Sequence, residues 1–138
     1  MIVVSEIGDI HRFAHPRQLM AYLGLVPSES SSGPKRRAGG LTKTGNAHVR
    51  WLINESAQHY RLPPKVSVQL SQRQEGIAKE HRAAVRSISW KCQQRLYDKG
   101  RQMAGRLKMR QKVQIALARE LCGFVWAVMK AVQPVTAP

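Results

Sequence analysis

Residues 28–46, SESSSGPKRRAGGLTKTGN, hold six hydroxyl side chains and four permanent cations with almost nothing apolar between them. A hydroxyl can attack phosphorus where fixed cations and bare amides stabilise the charge that builds on the phosphoryl oxygens. Lys35, Arg36, Arg37 and Lys43 supply the charge, and Gly33, Gly39, Gly40 and Gly45 leave the backbone open to a ligand. Thr44, Gly45 and Asn46 lead directly into a helix whose free amides and positive dipole end face the same anion. GGLTKTGN shares the composition of a Walker loop but not its G-x-x-x-x-G-K-[ST] spacing, so an ATPase is not indicated. Composition alone favours a flexible, solvated basic loop, and richness in serine does not by itself single out a nucleophile.

The elements that must position this stretch read as helices. Pro16 suits a first helical position, Leu19, Met20 and Leu23 share a face, and Gly24 can take the left-handed conformation that closes a short helix over 16–23. From Pro27 to Asn46 alternation is weak and turn formers are frequent, which predicts a long loop or a short hairpin. Asn46 caps a helix over about 47–61, whose inner face is Val49, Leu52, Ile53, Ser56, Ala57 and Tyr60. Pro63 and Pro64 end it.

A long helix is expected over about 74–99, with Ile77, Ala84, Val85, Ile88, Cys92 and Leu96 as its stripe and Gly100 as its stop. Residues 101–112 suit a mobile basic connector or a frayed helix start. The last helix, about 111–132, turns Val113, Leu117, Leu121, Phe124, Val125, Val128 and Val132 to one side, widened by Trp126 and Met129. The fold class is therefore mainly α: one domain over 1–138, four or five helices, a long basic Ser/Gly-rich loop over 28–46, minor strand content and a disordered tail over 133–138.

Net charge narrows the partners. With 23 Lys and Arg against 8 Asp and Glu the chain carries +15, suited to a polyanion such as DNA. The excess is uneven: residues 1–34 hold two cations and three anions, 35–61 hold six against one, and 62–138 hold fifteen against four. Cys92 and Cys122 form no C-x-x-C pair, so neither a disulfide framework nor zinc is suggested, and a reducing cytoplasm fits. The apolar run at 116–132 contains Arg119, Glu120 and Lys130 and is too short for a bilayer span, so no membrane partner is expected. The five histidines show no ligand spacing, and Glu6, Asp9 and Glu29 are the only acids ahead of the cations, so no metal site is assigned. Trp51, Trp90 and Trp126 lie in helices and read as core.

Residues 6–57, EIGDIHRFAHPRQLMAYLGLVPSESSSGPKRRAGGLTKTGNAHVRWLINESA, closely resemble the C-terminal domain of DEDD-type, bridge-RNA-guided insertion-sequence transposases. IAKEHRAAVRSISWKCQQRLYDKG and VQIALARELCGFVWAVMKAV are similar to the later part of that domain. The shared order is AYLGLVP, a Ser-Gly pair, a basic Gly-rich stretch, K-x-G and a helix. The resemblance implies that Ser32, before Gly33, is the serine that attacks DNA to form a covalent phosphoserine link, with Ser31 as the fallback in the run 30–32. Lys43 and Gly45 match K-x-G, and charge suggests Lys35, Arg36, Arg37, Lys43 and Arg50 as nucleic-acid contacts.

The resemblance also implies a RuvC-like domain whose four acids bind divalent metal, expected to be Mg. This chain has no room for it and lacks the Gly-x-Gly before EIGDI, so an N-terminally truncated domain, without a cofactor of its own and inactive alone, is expected. Further implications are DNA as partner, a guide RNA as a second one, a homo-oligomer in full-length relatives, and a bacterial cytoplasmic, nucleoid-associated location. Relatives carry an aromatic residue at the place of Ser30 and Gly at that of Pro34. Two other readings compete with a recombinase part: a non-catalytic nucleic-acid-binding module or transposase remnant, and a helical dimerisation remnant built on the wide apolar last helix.

Overall fold

Side-chain caps open the helices that begin at Pro16, Ala47 and Val68 and the 3-10 turn that begins at Ile10. The computed structural model describes residues 2–32, 35–41, 46–106 and 109–134, with backbone alone for 2, 27–32 and 35–41. Helix α1 (Ile2–Ile7) is followed by a 3-10 turn (Ile10–Arg12) capped by Asp9, whose carboxylate accepts from the His11 amide at 2.9 Å. Helix α2 (Pro16–Tyr22) opens with proline at its start and closes through Gly24, φ +71°. Strands β1 (Pro27–Ser32) and β2 (Lys35–Leu41) pair antiparallel. Helix α3 (Ala47–Ala57) runs into a second 3-10 turn (Gln58–Arg61). Helices α4 (Val68–Glu75), α5 (Lys79–Gly105) and α6 (Arg110–Val132) complete the order.

The mainly α class holds, with six α-helices and two strands among the described residues instead of four or five helices and a loop. The expected hairpin alternative is the one adopted. Two helical boundaries differ. Residues 74–78 do not open the long helix: Ser67 caps a separate α4, accepting from the Leu70 amide at 3.1 Å. Arg82 then seals the end of α4 by donating to the Glu75 and Ile77 carbonyls at 2.8 and 3.1 Å. Gly100 does not stop α5, because it is buried against Leu117, where a Cβ would lie 3.5 Å from a Leu117 methyl. Close helix packing there overrides the low helix propensity of glycine.

Helices α5 and α6 pack antiparallel, as the Gly100 to Leu117 contact and the Arg95 to Glu120 pair require. Helix α6 also lies against α2 and α3. One apolar core results, with Leu19, Leu23, Leu25, Val49, Leu96, Leu117 and Cys122 almost wholly excluded from solvent. Of the expected stripes, Val85, Cys92 and Leu96 are buried on α5, but Ala84 is exposed, as is Ser56 on α3. Gln133 belongs to the fold: its side chain accepts from the Ile10 amide at 3.0 Å and donates to the Gly8 carbonyl at 3.3 Å. Residues 135–138 of the expected tail lie outside the described residues.

Candidate nucleic-acid interface

The basic stretch is a two-stranded ribbon whose register aligns serines with cations. Ser32 pairs with Lys35, Ser31 with Arg36 and Ser30 with Arg37. Because a strand has a period of two, positions 30 and 32 share one face with 35 and 37, while 29 and 31 share the other with 36 and 38. Ser32 thus sits on a face with two cationic positions and no acidic one. Position 31 shares its face with one cationic position, 36, and one acidic position, 29. Nearer the base the register slips, with Pro27 opposite Leu41 and Glu29 opposite Ala38. Two residues of β2, Gly39 and Gly40, therefore face Ser28 alone, the two-against-one count of a β-bulge, where glycine removes the steric limit on the backbone. Gly33, Lys43 and Gly45 lie outside the described residues.

The described residues that flank the ribbon in sequence are held in the helical body. At the entry, the Leu25 amide donates to the Met20 carbonyl at 2.9 Å and Leu25 is buried. At the exit, the Asn46 side chain accepts from the His48 and Val49 amides at 3.0 and 3.1 Å. Its amide nitrogen donates to Glu6 Oε2 at 2.6 Å. The other Glu6 oxygen meets His48 Nδ1 at 2.7 Å, so one carboxylate on α1 clamps the first turn of α3. The hydrogen bond from His48, then that from Asn46, hold the Glu6 carboxyl below the usual carboxylate range. Arg50 donates to the Leu23 carbonyl at 3.1 Å, tying the helix after the ribbon to the residue before it. Arg50 is thus partly engaged in holding the ribbon's base.

Sequence reasoning weighed Glu6 only as a metal ligand and Trp51 as core, and gave His48 no role beside the ribbon. Trp51 is 58% exposed one turn beyond His48 on α3, not core, and Trp90 is 39% exposed. Only Trp126 of the three tryptophans is partly buried, with its indole nitrogen donating to the Phe13 carbonyl at 3.0 Å. The signal for Trp51 was available: the α3 core positions Val49, Ile53 and Ala57 leave position 51 on the opposite side. No comparable signal existed for Glu6, which reaches His48 across 42 residues of sequence.

Elsewhere the cations divide into committed and uncommitted ones. Arg95 and Lys99 of α5 both bond Glu120 of α6, at 2.9 and 2.6 Å. These bonds, Arg95 foremost, push the Glu120 carboxyl down to about 2 against the opposing effect of burial. Among the described residues no three His, Cys, Asp or Glu side chains gather as metal ligands would. Glu6 is engaged by Asn46 and His48, and Asp9 caps the first 3-10 turn. Neither of these two carboxylates is left open for a divalent ion. No described helix is long and apolar enough to cross a membrane.

Comparison with known proteins extends the sequence resemblance. The chain is 43% identical over 133 residues to the putative transposase y4qE of Sinorhizobium fredii, a match covering 96% of this chain and 33% of that protein. It is 45% identical over 56 residues to the transposase for insertion sequence element IS1111A of Coxiella burnetii, covering 41% of this chain and 15% of the relative. A probable family 20 transposase of Pseudomonas aeruginosa is 38% identical over 56 residues, 41% of this chain and 17% of its own length. The chain thus spans a third or less of the relatives it matches. No solved structure matches it. The profile described as Transposase IS116/IS110/IS902 family matches residues 1–69, half of the chain, a span that holds the ribbon, its Glu6 clamp and Trp51. With that profile and the near end-to-end similarity to y4qE, the chain belongs to the IS116/IS110/IS902 family of transposases.

Proposed function

We propose that this chain is the DNA-binding and strand-exchange part of a transposase, with Ser32 as nucleophile. The observation that carries the reading is the register: Ser32 lies opposite Lys35 on the ribbon face that also holds Arg37, whereas Ser31 shares its face with an acid. In the proposed step Ser32 Oγ bonds to a DNA phosphorus and the bond from that phosphorus to one deoxyribose oxygen breaks. The serine proton leaves to a base and the departing oxygen gains one, so a phosphoserine diester conserves the bond for resealing. Lys35 and Arg37, at positions on the face of Ser32, stabilise the extra charge of the pentacoordinate state, and Arg36, Lys43 and Gly45 serve as further nucleic-acid contacts. Arg50 positions the ribbon. Trp51 offers an exposed indole for a base beside it.

A divalent metal, when bound by the carboxylates of a RuvC-like domain, would neutralise phosphate charge. That domain, a guide RNA and further copies of the chain are the partners this reading calls for. The test is adduct trapping on nicked DNA with the carboxylate domain and guide RNA present. A covalent protein–DNA band is expected that Ser32→Ala abolishes and Ser31→Ala spares. An undiminished band in Ser32→Ala refutes the assignment.

The net charge of +15 supports a second reading, a non-catalytic nucleic-acid-binding module. It requires steeply salt-dependent DNA binding that is indifferent to Ser32→Ala and yields no adduct.

A further inference from the structure

A second concentration of positive charge lies away from the ribbon. A cavity of about 470 Å³ opens between the 3-10 turn after α3, the C-terminal part of α5 and the start of α6. Arg61, Arg101 and Arg110 line it together with Tyr97, over buried Gly100 and Val113, and no carboxylate does. Three guanidinium groups brought to one cavity repel one another unless an anion joins them. Arg95 and Lys99, on the same helix, meet Glu120, but among the described residues no ion pair engages these three arginines. Arg61 Nη2 donates to the Arg110 carbonyl at 3.1 Å, while its Nε is buried without an acceptor. The Arg101 guanidinium stands over the Tyr97 ring, 5.5 Å from its centroid, within cation–π range at the rim.

The size and chemistry select a ligand. The volume is that of a small-molecule site and cannot admit a duplex. Arginine forks match phosphate oxygens, and a guanidinium on an aromatic ring is a surface on which an unpaired base stacks. We propose that this cavity takes one nucleotide of a single-stranded nucleic-acid segment, its phosphate on Arg110 and the remaining Arg61 donors and its base on the Arg101 and Tyr97 pair. The proposal rests on the nucleic-acid reading above and adds to it a site that distinguishes unpaired from paired strands.

The test is fluorescence anisotropy of the full chain with short labelled oligothymidylate, short labelled oligouridylate and a DNA duplex. Arg101→Gln with Arg110→Gln is compared with Arg36→Gln with Arg37→Gln. Both cavity arginines are exposed, so the first double variant should fold, which a thermal melt checks; Tyr97→Leu probes the pair independently. The cavity variant should weaken single-strand binding about tenfold, lower the salt slope by about 0.7 for one lost phosphate contact, and leave duplex binding within about threefold. Single-strand affinity within about twofold of wild type in the cavity variant, with the ribbon variant weakened, overturns the cavity site and leaves the parent reading intact. Equal loss on single strands and duplex reduces the arginines to bulk charge and also overturns it. A wild-type chain that binds none of the three ligands overturns both readings together.

Discussion

Replacing Asn46 by alanine should loosen the base of the ribbon by a definable amount. The side chain accepts from two amides of α3, His48 at 3.0 Å and Val49 at 3.1 Å, and donates to Glu6. Loss of an Asn cap costs about 1 kcal/mol and up to about 2 in a well-formed case, and loss of the Glu6 contact acts in the same direction. For a domain of this size, about 1 kcal/mol lowers Tm by roughly 3–6 °C. Asn46→Asp separates the two roles. Aspartate keeps the cap and suits the positive end of the helix, but it sets a second carboxylate against Glu6 where an amide donor stood. The expected order at neutral pH is wild type, then Asn46→Asp, then Asn46→Ala, with the Asp deficit shrinking in acid as the facing carboxylates protonate. Urea unfolding followed by circular dichroism measures all three. An alanine variant within about 0.3 kcal/mol of wild type, or an aspartate variant more stable than wild type, would refute the clamp.

Trp51→Ala should leave stability nearly unchanged, because the side chain is 58% exposed, yet weaken oligonucleotide binding by about 1–3 kcal/mol if the indole stacks on a base. Glu120 has a folded pKa of about 2 against 4.5, so its contribution to stability is complete above pH 4.5 and is lost as pH falls toward 2; Glu120→Gln should flatten the stability profile across that window. Leu117→Ala, at the fully buried centre of the α5 and α6 contact, should cost about 2–5 kcal/mol in urea unfolding. Gly123→Ala should instead raise stability by roughly 0.5–1 kcal/mol: an added Cβ meets the Met20 terminal methyl at 3.5 Å and Pro16 at 4.0 Å, ordinary contacts inside a helix.

What could be read from the residues was whatever local chemistry decides. Proline at the start of α2, Gly24 at its end and Asn46 ahead of α3 each act on amides or dihedrals within a few residues, and each stands where the sequence put it. The buried faces of α3 and α6 followed from period alone, through Val49, Ile53, Val113 and Leu117. Gly100 misled because what keeps it helical is Leu117 on another helix, and α4 was missed because VQLSQRQE has too little apolar pattern to announce itself. A hairpin was one of two alternatives for the ribbon, but SESSS and KRRAGG are poor strand formers without alternation, so its register, and with it the different faces of positions 32 and 31, emerges only from pairing. Recognition of the shared order of motifs located the serine run, but the Glu6, Asn46 and His48 clamp joins residues 40 and 42 apart and left no trace in sequence.

The length of β1 has a mechanical consequence. Five steps of strand carry position 32 about 16 Å from Pro27, so any tilt of the ribbon with its hinge at Pro27, the foot of β1, is amplified at the far end. A tilt of about 10° at that hinge sweeps the tip through roughly 3 Å, several times the tolerance of about 0.5 Å within which reacting groups must be held. In the proposed strand exchange, the aim of Ser32 at a phosphorus atom would therefore be set by whatever the far end of the ribbon grips, and the hinge would decide how much of that grip's free energy goes into restraining the swing.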